Sequence, residues 1–239
     1  MPKNSSKYKK AIISGWNLKK MSFWEKTQAK KLVTPYGKIS YFQLADCIFI
    51  PRHGIEENVS PHKINYRANI FAIKKLGIKY IFAINSVGSL KKEIKPGDFI
   101  VASDYIDLNP PTFYEKEAKF IVPKLSSNLN KILIKILKRL KIKFRPNGIY
   151  FRAKGPRFET KAEIKLLRNF ADIVGMTMAS EATLADELGL EYASVCSIDN
   201  YAHGVVKKPL TMKEFRANQL KMVANIEKII EEVIKTKIR

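Results

Sequence analysis

Short apolar runs rich in β-branched residues alternate in this chain with stretches of helical periodicity, and several of the runs end in a polar cluster. Ala11-Ile12-Ile13 meets Ser14-Gly15, Cys47 to Ile50 leads to Arg52-His53-Gly54, and Tyr80 to Ile84 leads to Asn85-Ser86-Val87-Gly88. Phe99 to Ala102, Asp172 to Thr177 and Tyr192 to Ser197 have the same character, and all read as buried strands. Between the second and third runs, Ser60-Pro61 precedes Ile64, Ala68, Ile70, Ala72 and Ile73, and Gly77 follows. That spacing predicts a helix with proline in its first turn and glycine at its end. A second helical pattern runs from Leu129 to Leu140, and Thr160 with Glu163 and Thr211 with Glu214 read as capping boxes that open two more helices. Such alternation constrains the chain to an α/β fold, a sheet with helices on both faces and its ligand sites at the carboxyl ends of strands.

Length and composition bound the rest. With 239 residues, 46% of them hydrophobic, the chain can bury one full core, and no composition shift marks a second domain. We expect a basic, frayed segment over residues 1–10 and one domain over 11–239. No run is long and apolar enough to span a membrane, and Met1 to Ser6 lacks the apolar stretch of a secretory signal, so a cytoplasmic protein is expected. Cys47 and Cys196 are too few for a disulfide framework and not in metal-ligand spacing, so they read as buried thiols, with no metal site. The formal charge of +22 would attract polyanions. Its lysines are scattered along the chain and not interleaved with aromatics in a nucleic-acid module, so solvated helix faces account for them and a nucleic-acid partner is not expected.

One pair of residues bears on the substrate. Glu159, in Gly155-Pro156-Arg157-Phe158-Glu159-Thr160, and Asn200 bring together a carboxylate and a primary amide, a hydrogen-bonding pair that a 6-oxopurine satisfies better than a 6-aminopurine. In order along the chain, Arg52-His53-Gly54, Ser60 to Asn69, Asn85 to Leu90, Pro96-Gly97-Asp98, Gly155 to Thr160 and Gly175-Met176-Thr177 resemble the trimeric nucleoside phosphorylases, the family of purine nucleoside phosphorylase and methylthioadenosine phosphorylase. The similarity spans roughly residues 11 to 235, and six motifs in the right order make it far more specific than any one of them.

The resemblance implies a single-domain fold with a twisted mixed central sheet flanked by helices on both faces. It also implies phosphorolysis, the cleavage of a purine nucleoside by phosphate through an oxocarbenium-like transition state, with inorganic phosphate as co-substrate and no cofactor. For phosphate, Arg52 would make a two-pronged contact and His53 would add a donor, with a backbone amide at Ser86 and the Thr177 hydroxyl completing the set. Met176 would lie against the ribose. Glu159 would accept from N1–H of the base, Asn200 would donate to O6 and accept from N7–H, and Phe158 would flank the ring, while Ser86, Val87 and Gly88 would also line the substrate. Asp199 is expected to be a local turn partner.

At the sugar's 5′ end, Leu210, Met212 and Phe215 align with the apolar positions of methylthio-nucleoside enzymes. An unpartnered buried hydroxyl costs about 1–3 kcal/mol there, whereas a methylthio group gains from burial. The pattern therefore resembles 5′-methylthioinosine phosphorylase most, with inosine or guanosine as the neighbouring possibility and methylthioadenosine as the alternative. Family members of this size are trimers or hexamers, and Phe113 or Tyr114 would fall near a neighbour's site.

The chain departs from the family at its first phosphate loop, where Ser14-Gly15-Trp16-Asn17 replaces a glycine-rich turn with a hydroxyl. One phosphate contact is missing from that loop, and Ser14 is the neighbouring hydroxyl. This departure keeps three other classes in view: a hydrolase-like variant using water, a nucleoside-binding protein without phosphorolysis, and a basic nucleic-acid-associated protein on the same fold.

Overall fold

A computed structural model describes residues 8–15, 20–21, 27–116 and 118–238. Trp16 and Asn17, which carry the departure in the phosphate loop, lie outside the described residues. In chain order the elements are β1 (Lys10–Ser14), β2 (Ala29–Thr34), β3 (Gly37–Leu44), β4 (Cys47–Pro51), α1 (Tyr66–Lys75), β5 (Tyr80–Ser89), β6 (Phe99–Val101), β7 (Asp104–Ile106), α2 (Ser127–Arg139), β8 (Phe144–Arg145), β9 (Ile149–Arg152), α3 (Lys161–Leu167), β10 (Ile173–Gly175), α4 (Met178–Glu187), β11 (Glu191–Tyr201) and α5 (Met212–Lys235). The strands form one mixed sheet in the order β2-β3-β4-β1-β5-β10-β9-β7, with β11 also paired to β5, β6 to β11 and β8 to β6.

Strand alternation divides the core into two layers. Ile13, Ile81, Ala83 and Cys196 face α1 and α4, whereas Ile12, Phe82, Ile84 and Val195 face α2 and α5. Each such buried aliphatic or aromatic side chain contributes about 1.5–3 kcal/mol, so the sheet is held from both sides. Both cysteines are buried free thiols, and burial pushes each up to about 12.

Pairing around β5 makes the opening for a site. β1 runs parallel to β5 only as far as Ile13 beside Ala83, and β10 joins the same edge antiparallel at Gly88 and Ser89. Ile84 to Val87 therefore have no strand neighbour on that edge, while β11 continues along the other. A sheet that splits in this way leaves a crevice beyond the strand ends, the usual place for a ligand in an α/β fold.

Several expectations are refined. The long helix predicted from Pro61 is two pieces: Pro61–Lys63 is a 3₁₀ turn, and α1 starts at Tyr66 because the Asn65 side chain caps Ala68 N–H. Thr160 and Glu163 form a reciprocal capping box. Thr211 only half does so: it accepts from Glu214 N–H, but the Glu214 carboxylate pairs with Lys208 at 2.9 Å. Within the segment expected to fray, Tyr8 and Lys10 are buried, and the Lys10 ammonium bonds Asp46 and the Thr236 carbonyl.

Candidate active site

A cavity of about 420 Å³ opens where β1 and β10 leave β5 uncovered, a size suited to a small organic ligand. Ser14, Arg52, His53, Ser86, Val87, Gly88, Phe158, Glu159, Met176, Thr177, Met212 and Asn200 all line it, so residues scattered through the chain converge on one space.

Its cationic end is built around Arg52 at the end of β4. The guanidinium donates from Nε to Glu181 Oε1 at 2.5 Å and from Nη2 to Oε2 at 3.0 Å, and both side chains are 1% exposed. Nη1 donates to the Ile84 carbonyl at 2.9 Å, the oxygen left open by the split sheet, and Nη2 reaches Ile13 O at 3.5 Å. Burial alone would lower the Arg52 pKa, but the Glu181 carboxylate more than reverses this and holds the charge in place. The two-pronged phosphate contact expected of Arg52 is therefore unavailable. Four of its five N–H donors are engaged among the described residues, which leaves one on Nη1 for an anion. Gly15 permits close approach there, because a Cβ at that position would lie 3.2 Å from the His53 ring and 3.5 Å from Nη1.

His53 also differs from its expected role. Burial pushes its pKa down to about 4, so the neutral ring prevails near pH 7. Nδ1 lies 2.7 Å from Val59 O, and since a carbonyl only accepts, the ring proton sits on Nδ1. In that tautomer Nε2 is an acceptor, suited to an anion that still carries a proton.

Thr177 stands at the N-terminus of α4, where the helix dipole favours negative charge. Asn85 Nδ2 donates to its hydroxyl oxygen at 2.8 Å and Ser194 Oγ holds the Asn85 amide at 2.7 Å, which leaves the Thr177 hydroxyl hydrogen for the cavity. Tyr150 OH accepts from the backbone amides of Thr177 and Met178 at 3.0 and 3.3 Å and so fixes the helix start. Met176 lies against Gly155, whose φ of +70° and missing Cβ make room for it; a Cβ there would meet the Met176 sulfur at 2.6 Å.

At the opposite end, the loop entering α3 is held by Arg157, which pairs with Glu163 through two contacts of 2.8 Å. Thr160 and Glu163 do the capping, so Glu159 is released from it and turns inward, where burial raises its pKa. Phe158 meets Phe215 of α5 edge-on, with ring centres 5.5 Å apart. Asn200 Nδ2 donates to Tyr201 O at 2.8 Å and lies 3.2 Å from where a Cβ on Gly88 would be, and its oxygen makes no hydrogen bond among the described residues.

Helix α5 lines the cavity with Met212, Phe215, Arg216, Gln219, Val223 and Ile226, a stripe at helical spacing. Leu210 is not part of this lining. It precedes the Thr211 cap and so falls off the stripe that begins at Met212. The wall is also less apolar than expected, since Arg216 and Gln219 belong to it.

Sequence reading missed Glu181 and misassigned Asp199. Glu181 lies one helical turn after Thr177, and that spacing was its only signal. Asp199 is not a turn residue: it sits within β11 at a bulge, buried, with its carboxyl accepting from Ser86 Oγ. Phe113 and Tyr114 are committed within their own chain, Phe113 against Tyr36 and Phe71 and Tyr114 through its hydroxyl to Glu187 O at 2.6 Å. Among the described residues no group of three or more His, Cys, Asp or Glu is placed to hold a metal ion, and no helix is long and apolar enough to cross a membrane.

Comparison with known proteins agrees with this geometry. The chain is 36% identical over 230 residues to the "Probable 6-oxopurine nucleoside phosphorylase" of Archaeoglobus fulgidus, covering 94% of this chain and 95% of that protein. It is 42% identical over 210 residues to the "Probable S-methyl-5'-thioinosine phosphorylase" of Methanocaldococcus jannaschii, covering 84% and 82%. Its fold superimposes on methylthioadenosine phosphorylase from Schistosoma mansoni in complex with adenine with a TM-score of 0.82, at 25% identity over 95% of this chain and 91% of that one. With residues 13–235 matching the family model as well, this chain belongs to the phosphorylase superfamily.

Proposed function

We propose that the protein cleaves the N-glycosidic bond of a 6-oxopurine nucleoside with phosphate, releasing the free base and a pentose 1-phosphate, with 5′-methylthioinosine as the preferred substrate. The observation that carries this reading is that Glu159 and Asn200 line one cavity together with Phe158. A carboxylate accepts from N1–H of a 6-oxopurine, and a primary amide both donates to O6 and accepts from N7–H; adenine lacks the N1–H. The names carried by the relatives from A. fulgidus and M. jannaschii support the same base.

Phosphate would sit at the Arg52 end. The remaining Nη1 hydrogen, the Thr177 hydroxyl and the start of α4 offer positive charge and donors, and neutral His53 would accept a hydrogen bond from the hydroxyl that hydrogen phosphate still carries. Met176 would shield the sugar, and Ser14, Ser86, Val87 and Gly88 would complete the walls. No cofactor enters the reaction. Met212 and Phe215 favour a methylthio group at the 5′ end, whereas Gln219 on the same stripe favours inosine or guanosine as a second reading, because an amide can partner a 5′-hydroxyl.

We also infer a homotrimer or hexamer. Leu108, Phe120 and Val122 are 82%, 91% and 88% exposed in one stretch of chain, apolar surface of the kind a neighbouring subunit covers.

Base release from methylthioinosine, inosine, guanosine and methylthioadenosine, each with and without phosphate, tests the reading. Phosphate-dependent cleavage with a higher kcat/KM for 6-oxopurines than for methylthioadenosine is expected. Release without phosphate would indicate a hydrolase, and binding without release a nucleoside-binding protein.

A further inference from the structure

Arg52 commits its Nε–Nη2 edge to Glu181, but a second arginine leaves the same edge open. Arg152 closes β9, with its side chain 15% exposed. Its Nη1 donates to Asp107 Oδ1 at 2.7 Å and to Asn109 O at 3.0 Å. Nε is buried without a partner among the described residues, and Nη2 makes no hydrogen bond among them. The pair with Asp107 is end-on, since Asp107 Oδ2 is also buried and unpartnered. What stays open is therefore the edge of the guanidinium that can grip an oxyanion through two parallel bonds.

Arg152 lines a second cavity, of about 350 Å³, that shares only Pro61 with the lining of the first. Arg67, in the first turn of α1, and Lys154, two residues beyond β9, bring further cations, and no Asp or Glu is among the lining residues. Behind the wall Arg67 pairs with Glu115 and Arg152 with Asp107, so Lys154, which has no ion pair among the described residues, is the surplus positive charge. Ser180 of α4 belongs to the same lining; it is fully buried, and its Oγ has no hydrogen-bond partner among the described residues. Buried donors in folded proteins are rarely left unmet. Groups from β9, α1 and α4 approach this space from different elements, which suits a tetrahedral anion better than a planar carboxylate, and the volume leaves room for an organic group beside it. We propose that this cavity is a second anion site, one that takes a phosphate group as the free ion or as the head of a sugar phosphate, with the Nε–Nη2 edge of Arg152 as its two-pronged contact.

The site goes beyond the phosphorolysis reading and does not depend on it. It does adjoin the active site: the Tyr66 hydroxyl donates to Pro61 O at 3.0 Å and to Met176 O at 3.2 Å, so the second cavity backs onto the Met176 wall of the first.

Equilibrium dialysis of radiolabelled inorganic phosphate against the purified protein, in about 0.15 M salt to screen weak surface pairing, tests the proposal. The wild type should bind two phosphates per chain. Arg152→Lys keeps a charge beside Asp107 but removes the fork, and should weaken one of the two sites by about tenfold or more while leaving the other unchanged. Lys154→Ala, an exposed change, should weaken that same site by about threefold, and it decides the matter if Arg152→Lys does not fold. Two phosphates unaffected by either substitution would mean an adventitious ion only and would overturn the proposal, as would no binding or a single phosphate that survives both. A single phosphate weakened in these variants would support the second site and count against the Arg52 end, so the two readings fail separately. Competition with ribose 5-phosphate assigns the source. Displacement of the Arg152-sensitive label at a lower concentration than unlabelled phosphate requires identifies a sugar phosphate, and the reverse order identifies the free ion.

Discussion

The two ends of the cavity are built on opposite plans. At the anion end, the Arg52 guanidinium is tied to Glu181, Ile84 O and Ile13 O, Glu181 to Tyr192 as well, and the start of α4 to Tyr150. At the base end, Glu159 and Asp199 are buried carboxyls with raised pKa values, Asn200 retains free hydrogen-bonding capacity, and Met212 at the cavity mouth is 49% exposed. A fixed charge can be built in advance because phosphate is always an anion. Base recognition has to leave donors and acceptors open, and accepts some electrostatic cost in the empty site.

Removing Glu181 should break the contrast most severely. Glu181→Ala leaves Arg52 buried without its partner, and we expect a loss of about 3–5 kcal/mol in stability, read by urea unfolding. Glu181→Gln should lose less and raise the KM for phosphate more than the KM for nucleoside. Equal effects on the two KM values would refute the view that Glu181 serves the anion end.

Acid should separate the ends next. The unfolded chain takes up a proton at His53 near pH 6.5, whereas the folded chain resists until about 4, so stability from this residue is complete above 6.5 and is lost as pH falls toward 4. The size is roughly 3 kcal/mol at the bottom of that window, at about 1.36 kcal/mol per pKa unit. Asp199 acts in the opposite sense: its folded pKa of about 6 lies above the ordinary 3.8, so its stabilising contribution is present at low pH and is lost as pH rises toward 6. Thermal melting of His53→Gln between pH 4 and 7 should show a weaker acid loss than wild type; an unchanged slope would contradict the assignment.

Glu159→Gln sharpens the base end. Loss of a charged hydrogen bond should lower kcat/KM for 6-oxopurine nucleosides by about 1.5–3 kcal/mol and narrow their lead over methylthioadenosine, with little change in melting temperature. Undiminished discrimination would remove Glu159 from base reading. The smallest expected effect is Phe215→Leu, which loses the edge contact with Phe158, worth about 0.5–1.5 kcal/mol, and should appear as a modest rise in the KM for nucleoside at unchanged KM for phosphate.

What was legible in the sequence followed from local rules. Cys47 to Ile50 and Tyr80 to Ile84 announced buried strands by composition, and Thr160 with Glu163 announced a helix start by spacing. Of the polar residues at those strand ends, Arg52, His53 and Ser86 line the cavity, whereas Asn85 stands behind Thr177. The strands of the β2–β3 hairpin were not read, because Ala29–Thr34 and Gly37–Leu44 mix lysine and serine with apolar residues and have one exposed face. Leu210 failed for a related reason: its type suited the pocket, but the Thr211 cap decided where the stripe begins.

By itself, then, the sequence determined the α/β alternation, the family, and which residue types would meet at the strand ends, because periodicity, capping and turn chemistry act over a few neighbouring positions. Only the tertiary structure decided what those residues are free to do. The Arg52 fork is taken by a carboxylate from α4, the His53 ring proton by the Val59 carbonyl, and Asp199 reaches the cavity through an inserted residue in β11. Each outcome depends on register and burial between distant segments, and the charge state of a buried group follows from which partners surround it once the chain has folded.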